Sequence, residues 1–273
     1  MTISKPTDLA VLLCSYNANK TLPEAVASIL ASEYPLDLYV IDDGSLEPVE
    51  TILSPTENLY VIRAGDSPKG LIGALNFGLE YIIRQKKYKF IGRMDADDIS
   101  YPDRFTKQVT FLKSNQDVGM VGAWAVAIDE KSKEALYPIN YPCDWYGISK
   151  ALKYNNCFIH PLLCFRSEMF ERYGLYSEEY QAAEDYEIIR RFAKYAKLAN
   201  LSEYLIDYRI SSGGISLSKR RQQLNTRLKV QKEFFEPLSI HSWLGILKTL
   251  ILYSVPMSAL QRLKKCLNKY DKK

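Results

Sequence analysis

Histidine is scarce: His160 and His241 are the two in 273 residues, and neither sits in a Ser/His/Asp or Cys/His pattern. A histidine-activated nucleophile is therefore not expected, and carboxylates become the candidates for chemistry. The five cysteines, Cys14, Cys143, Cys157, Cys164 and Cys266, are odd in number and show no C-x-x-C spacing, so neither a zinc site nor a disulfide framework is expected. Glycine and proline are modest at 13 and 12 residues. That excludes collagen-like, low-complexity and disordered scaffolds. The first residues, Met1 to Pro6, lack the apolar run of a secretory signal, so export is not expected. No apolar run reaches the roughly 20 residues of a spanning helix; the longest candidate, Trp243 to Pro256, has 14 residues and is interrupted by Lys248.

What is present is ordinary globular material: 47% hydrophobic, 12% aromatic and 25% charged residues, enough to bury a sizeable core. The net charge of +4 conceals an asymmetry. Residues 217–273 carry 13 Lys and Arg against 3 Asp and Glu, which leaves residues 1–216 acidic at −6. Such a split points to a basic tail that meets an anionic surface while the acidic body does something else.

The body alternates strand-like and helix-like segments. Asp8–Cys14 is a continuous apolar run suited to a strand covered on both faces, and Ser15-Tyr16-Asn17 ends it. Thr21-Leu22-Pro23-Glu24 reads as a capping box opening a helix. Leu36–Ile41 repeats the strand, Asp42-Asp43-Gly44-Ser45 the turn, and Pro48 starts a short helix. Leu59–Arg63 is a third strand, followed by a helix over 70–85 with Leu71, Ala74, Leu75, Gly78, Leu79 and Ile82 on one face. Tyr88–Met94 is a fourth, running into Asp95-Ala96-Asp97-Asp98. The alternation predicts a mostly parallel, Rossmann-like α/β sheet flanked by helices. In such sheets ligands bind beyond the carboxyl ends of the strands, so Tyr16, Asp43 and Asp97 are expected to converge on one crevice.

Beyond Pro102-Asp103-Arg104, which opens a helix, a strand pair is expected around Val118–Ile128, Ala135–Cys143 reads as loop, and Glu184-Asp185 opens a helix that runs to Tyr195. Ser211-Ser212-Gly213-Gly214 has the composition of a flexible loop.

Each acidic cluster has two readings. Asp95, Asp97 and Asp98 are three carboxylates in four residues, whose mutual repulsion a hard divalent cation would offset; the alternative is an acidic turn capping the next helix. Asp42-Asp43-Gly44-Ser45 is either turn chemistry or a base-binding carboxylate with Tyr16 as stacking partner. Glu184 and Asp185 either answer a helix dipole or supply a general base beside the metal. His160 reads as a packing residue or an acceptor contact. The tail either lies on a bilayer, its basic residues Arg262, Lys264, Lys265, Lys269, Lys272 and Lys273 facing head groups, or packs as a helical appendage on the body or as a dimer contact.

Taken in order, Ser15-Tyr16-Asn17, Val40–Ser45, Arg93–Asp98, Pro102-Asp103-Arg104-Phe105 and Glu184-Asp185 resemble the motif series of family 2 glycosyltransferases with the GT-A fold. RMDADDISYPDRF in particular resembles bacterial enzymes of exopolysaccharide, capsule and O-antigen assembly. The resemblance covers roughly residues 8–216. It implies a catalytic domain over 1–216, with 1–120 binding the nucleotide-sugar and 121–216 the acceptor, and a helical basic extension over 217–273. It further implies inverting transfer of a hexose from a UDP-sugar to a hydroxyl of a saccharide acceptor carried on a lipid diphosphate, at the cytoplasmic face of the membrane.

Carried over residue by residue, the resemblance implies that Tyr16 stacks on uracil and Asp43 accepts its N3–H, with Asp42 nearby. Asp97 would be the main ligand of Mg²⁺ or Mn²⁺, Asp95 would support it, and Asp185 would be the base. Enzymes of this kind often carry a His after Tyr-Arg that reaches the diphosphate. Tyr208–Ser216 has none, so Arg209 and Lys69 are the candidates for phosphate contact and 211–216 for a lid. Rival classes fit less well. A sugar nucleotidyltransferase would show a Gly-rich basic loop after the first strand, where this chain has Ser15–Lys20. A non-catalytic scaffold need not retain Asp43, Asp97 and Asp185, and a nucleic-acid binder would interleave aromatics with its basic residues.

Overall fold

Apolar runs without alternation become strands only when both faces are covered, and the first half of the chain is built that way. In the computed structural model, which describes residues 7–210 and 220–255, β1 (Leu9–Ser15) and β2 (Asp37–Asp42) are buried along almost their whole length. β3 (Leu59–Arg63) and β4 (Phe90–Asp95) complete a parallel set in the order β3-β2-β1-β4. The chain winds outward from β1 to β3 and returns to the other side of β1 for β4, so the strand order reverses between β1 and β4.

Alternate side chains of β1 serve opposite layers. Ala10 and Leu12 pack with Ala74, Leu75 and Leu79 of α2 (Gly70–Arg84). Leu9, Val11 and Leu13 pack with α1 (Leu22–Leu30) and α3 (Arg104–Ser114). Two local expectations change. Thr21 does not cap α1, because its hydroxyl donates to the Ala18 carbonyl, and Glu24 instead pairs with Lys133 and Arg209. On α2 it is Ile72 that is buried while Leu71 is exposed, since the loop ahead of the helix sets its rotation.

The parallel set is extended by strands from the second half. β8 (Cys164–Arg166) runs antiparallel to β4, β6 (Val118–Asp129) antiparallel to β8, and β9 (Lys197–Ile210) parallel to β6, with β5 (Ile99–Ser100) at the far edge. The segment expected as a strand pair at 118–128 is thus one twelve-residue strand. Its hairpin partner is β7 (Ala135–Ile139), which sequence reading took for loop. β7 escapes notice because Leu136 and Tyr137 face outward, leaving no buried alternation to read.

α4 (Trp145–Tyr154), α5 (Ser167–Tyr173) and α6 (Glu184–Phe192) cover this half; α6 ends three residues short of the expected Tyr195. α7 (Arg220–Glu233) and α8 (Ile240–Ser254) then pack on the body. Gln231 of α7 donates to the Tyr154 carbonyl at 3.0 Å and accepts from the Thr249 hydroxyl of α8 at 2.8 Å. Gly245 of α8 permits a close crossing, because a Cβ there would lie 2.6 Å from the Lys153 carbonyl oxygen. Among the described residues no helix is long and apolar enough to cross a membrane. The expected lid over 211–216 and the basic run from Arg262 to Lys273 lie outside the described residues.

Candidate active site

Register alone brings the first three clusters together. Ser15 pairs with Asp42 across β1 and β2, and Cys14 pairs with Asp95 across β1 and β4, so Tyr16, Asp43 and Asp97 leave neighbouring strands at one level. The two loops of the nucleotide side are tied to each other. The Asn17 amide donates to the Ser45 hydroxyl at 3.0 Å, and the Leu46 amide donates to the Asn17 side chain at 2.9 Å. Tyr16 is held between these anchors with its ring 53% exposed, as an aromatic face offered to a ligand must be.

Asp42 and Asp43 are both buried and well partnered. Asp42 accepts from the Ser45 amide at 2.9 Å and from Arg63 Nη1 at 2.7 Å, bracing the turn against β3. Asp43 accepts from the backbone amides of Lys69 and Gly70 at 2.8 and 2.9 Å, a carboxylate seated on the N-terminus of α2. Each Asp43 oxygen keeps a further lone pair. Gly44 has φ +75, and a Cβ there would meet the Ser67–Pro68 backbone at 3.1 Å, so glycine lets the two loops close on each other. The Lys69 ammonium is exposed and rests over the Phe77 ring, 4.7 Å from its centroid.

The end of β4 is different in kind. Asp95, Asp97 and Asp98 each offer a carboxylate oxygen within 4.8 Å of the others. Burial and then the Asp95 charge push Asp97 up to about 6. Burial, Asp95 and Asp97 push Asp98 well above the usual carboxylate range. Asp98 Oδ1 accepts from the Arg209 amide, but its buried Oδ2 has no partner among the described residues. Three crowded carboxylates with an orphaned oxygen fit a hard divalent cation bound by oxygen. Asp98 does not cap α3, since its one partner is on β9.

Arg209 takes a different place from the phosphate contact suggested for it. Its guanidinium is buried and donates to the Asp97 carbonyl at 2.6 Å, the Glu130 carbonyl at 3.1 Å and Glu24 at 3.2 Å. It fastens β9 to the acidic turn, to the β6–β7 hairpin and to α1.

The second acidic pair opens α6. Ala182 just ahead of it has φ 66, a left-handed conformation that costs an alanine about 1–2 kcal/mol. The strained loop is held by Asn76 of α2, whose amide exchanges hydrogen bonds of 2.8 and 3.0 Å with the Tyr176 backbone. Asp185 accepts from Asn156 Nδ2 and from the Tyr186 amide, both at 2.7 Å, which fix the plane of its carboxylate. Burial raises its pKa, and those hydrogen bonds lean the other way. Glu184 is pushed up to about 7 by burial and by Asp185.

Arg93 is a further charged residue of the site, one that the motif Arg93–Asp98 contains without marking it out. It is buried inside β4, and Nη1 forms an ion pair of 2.5 Å with Asp95 while Nε has no partner among the described residues. Burial opposes its charge, and the Asp95 carboxylate outweighs burial. Its charge favours the ionised forms of Asp97, Asp98, Glu184 and Asp185 alike, so all four carboxylates feel its field. A basic residue inside an otherwise apolar strand, two positions before a carboxylate and so on the same face, is the signal that could have found it.

His160 lies at the same floor and bonds Tyr176 Oη at 2.9 Å. Burial and then Arg93 hold it well below its usual pKa, so it is neutral and packs edge-on against that ring. Arg104 of the Pro102–Phe105 segment is wholly buried and donates to the Arg93 and Pro161 carbonyls at 2.7 and 2.8 Å. With no carboxylate partner, its pKa is brought down by burial to about 9. It clamps the back of β4.

Comparison with known proteins follows the same lines. Residues 10–174 match the family model described as "Glycosyl transferase family 2". The O-antigen biosynthesis glycosyltransferase WbnJ of Escherichia coli is 30% identical over 213 residues, 74% of this chain and 79% of that protein. Staphylococcus aureus TarS 1-349 in complex with UDP-GlcNAc superposes with a TM-score of 0.69 at 16% identity, covering 89% of this chain and 72% of that one. The mannosyltransferase PcManGT of Pyrobaculum calidifontis, in complex with GDP-Man and Mn²⁺, gives 0.64 at 17% identity, covering 95% and 80%. The shared architecture is the GT-A fold.

Proposed function

Because the chain belongs to glycosyl transferase family 2, we propose that it is an inverting hexosyltransferase of surface polysaccharide assembly, moving a sugar from a UDP-sugar to a hydroxyl of a lipid-diphosphate-linked saccharide at the cytoplasmic membrane face. The observation that carries this reading is the crowded Asp95–Asp97–Asp98 turn at the end of β4, level by register with the strand ends that bear Tyr16 and Asp43; the charge of Arg93 reaches Asp185 as well. A relative's role in O-antigen biosynthesis supports the polymer class, and a neighbour's UDP-GlcNAc supports a nucleotide-sugar donor.

In this reading Tyr16 stacks on the uracil and a remaining lone pair of Asp43 accepts the N3–H, while Asp42 keeps the turn in place. Lys69, exposed at the start of α2, takes a phosphate oxygen. Asp97 and Asp95 would hold Mg²⁺ or Mn²⁺, which would supply positive charge against the departing diphosphate. Asp185 takes the proton of the acceptor hydroxyl as that oxygen attacks the anomeric carbon and the bond to the β-phosphate oxygen breaks. A single in-line displacement inverts the anomer. Glu184 and His160 line the acceptor side: Glu184 shares the burial that raises the base, and the neutral His160 holds Tyr176.

The test is a panel of nucleotide-sugars assayed by release of nucleoside diphosphate, with and without a chelator. UDP-hexoses should be consumed only with a divalent ion, and Asp185→Asn should lower turnover by about 10²–10⁴-fold. Full turnover after chelation, or a product of retained configuration, would end the proposal.

A further inference from the structure

α8 presents its faces the wrong way round for a helix of a water-soluble protein. Ser242, Gly245 and Thr249, small or polar, are the residues it buries against the body. Ile240, Trp243, Leu244, Leu247, Leu250 and Ile251 stand on the opposite side and are each between 44 and 63% exposed. Helical spacing makes these six one continuous stripe, with Leu238 fully exposed just ahead of it. An apolar patch of this kind marks an interaction surface.

We propose that this face of α8 lies in the interface of an anionic lipid bilayer and holds the enzyme at the membrane. Its 15 residues make a rod of about 22 Å, too short to span the hydrocarbon core, so it rests in the plane of the surface. Charge selects the occupant. α8 has no acidic residue, Arg220 of α7 sits at its C-terminal end bonded to the Val255 carbonyl at 3.1 Å, and residues 217–273 carry 13 basic against 3 acidic groups. Anionic head groups complement that excess. A second copy would carry the same basic excess and so meet it with like charge.

The placement also orients the site. Thr226 and Gln222 of α7 bond Gln181, three residues before Glu184, and Arg190 of α6 donates to the Phe234 carbonyl ahead of α8. The membrane-facing helix is thus braced on the helix that carries Asp185. The inference deepens the reading above by naming the side from which a lipid-carried acceptor arrives, and rests on that reading for this direction alone.

The experiment is co-sedimentation of the full chain with vesicles of phosphatidylcholine alone or with one-quarter phosphatidylglycerol, alongside gel filtration and UDP-sugar hydrolysis in solution. Wild type should pellet with the anionic vesicles and be released by high salt. Leu247→Glu/Ile251→Glu should lower the bound fraction at least tenfold, while Leu136→Glu/Tyr137→Glu, on the exposed β6–β7 hairpin, should bind as wild type does. All three should hydrolyse donor at one rate; loss of hydrolysis with vesicle binding intact would count against the catalytic reading and leave this one standing. Wild type remaining in the supernatant, or the α8 variant pelleting undiminished, would overturn the proposal. So would a wild-type dimer that the α8 substitutions split, since the occupant would then be a second copy.

Discussion

Asp42-Asp43-Gly44-Ser45 and Asp95-Ala96-Asp97-Asp98 look alike in sequence: each is an acidic tetrapeptide ending a buried parallel strand. In the fold they are opposites. The first gives its carboxylate oxygens to backbone amides and to Arg63, and so builds the loop that carries the nucleotide side. The second crowds three carboxylates together, leaves Asp98 Oδ2 unpartnered, and raises Asp97 and Asp98 by burial and mutual repulsion. The first turn is held in shape by its own protein before any ligand arrives, whereas the second keeps repulsion that a cation would relieve.

Substitution separates the two turns most sharply. Asp97→Asn should lower sugar transfer by about 10²–10³-fold, the range for removing one strong electrostatic stabiliser of the departing group, yet leave the thermal midpoint without metal unchanged or higher. Asp42→Asn should do the reverse. Losing the charge that meets Arg63 should cost about 1.5–3 kcal/mol of stability, with activity of the folded fraction within tenfold of wild type. Paired denaturant melts and initial rates read both, and a stable, inactive Asp42→Asn would erase the distinction.

The smallest effect is on pH dependence. Asp97 at about 6 and Glu184 at about 7 stand above the values of unfolded carboxylates, so the folded chain binds more protons than the unfolded one. Their contribution to stability is complete at acid pH and is lost as pH rises through roughly 5 to 8. The melting temperature in chelator should fall across that window, and Mn²⁺ should raise it more at the upper end, because binding needs the deprotonated carboxylate. A melting temperature independent of pH from 5 to 8, with equal gain from Mn²⁺ throughout, would speak against raised carboxyls at this site.

Much of this was legible in the chain. Continuous apolar runs located β1 to β4 because a strand covered on both faces has no polar alternation, and strand–turn–helix order placed the crevice at their carboxyl ends. β7 was missed for the complementary reason, its apolar residues facing solvent. Arg93 was missed because one charged residue in a strand has no period, and Arg209 was given a ligand's role although its partners, 79 to 185 residues distant in sequence, are visible only in the fold. For α8 the chain showed an apolar run without saying which side faces the body.

Sequence by itself, then, determined the four strands of the parallel set, where the acidic turns fall and which family they belong to, since these follow from local pattern and spacing. Tertiary structure alone decided which carboxylates are satisfied, which arginine is buried against Asp95 and which face of α8 is left outside. Those depend on burial and on partners from distant segments, and the free energy of a charge is set by what surrounds it in space.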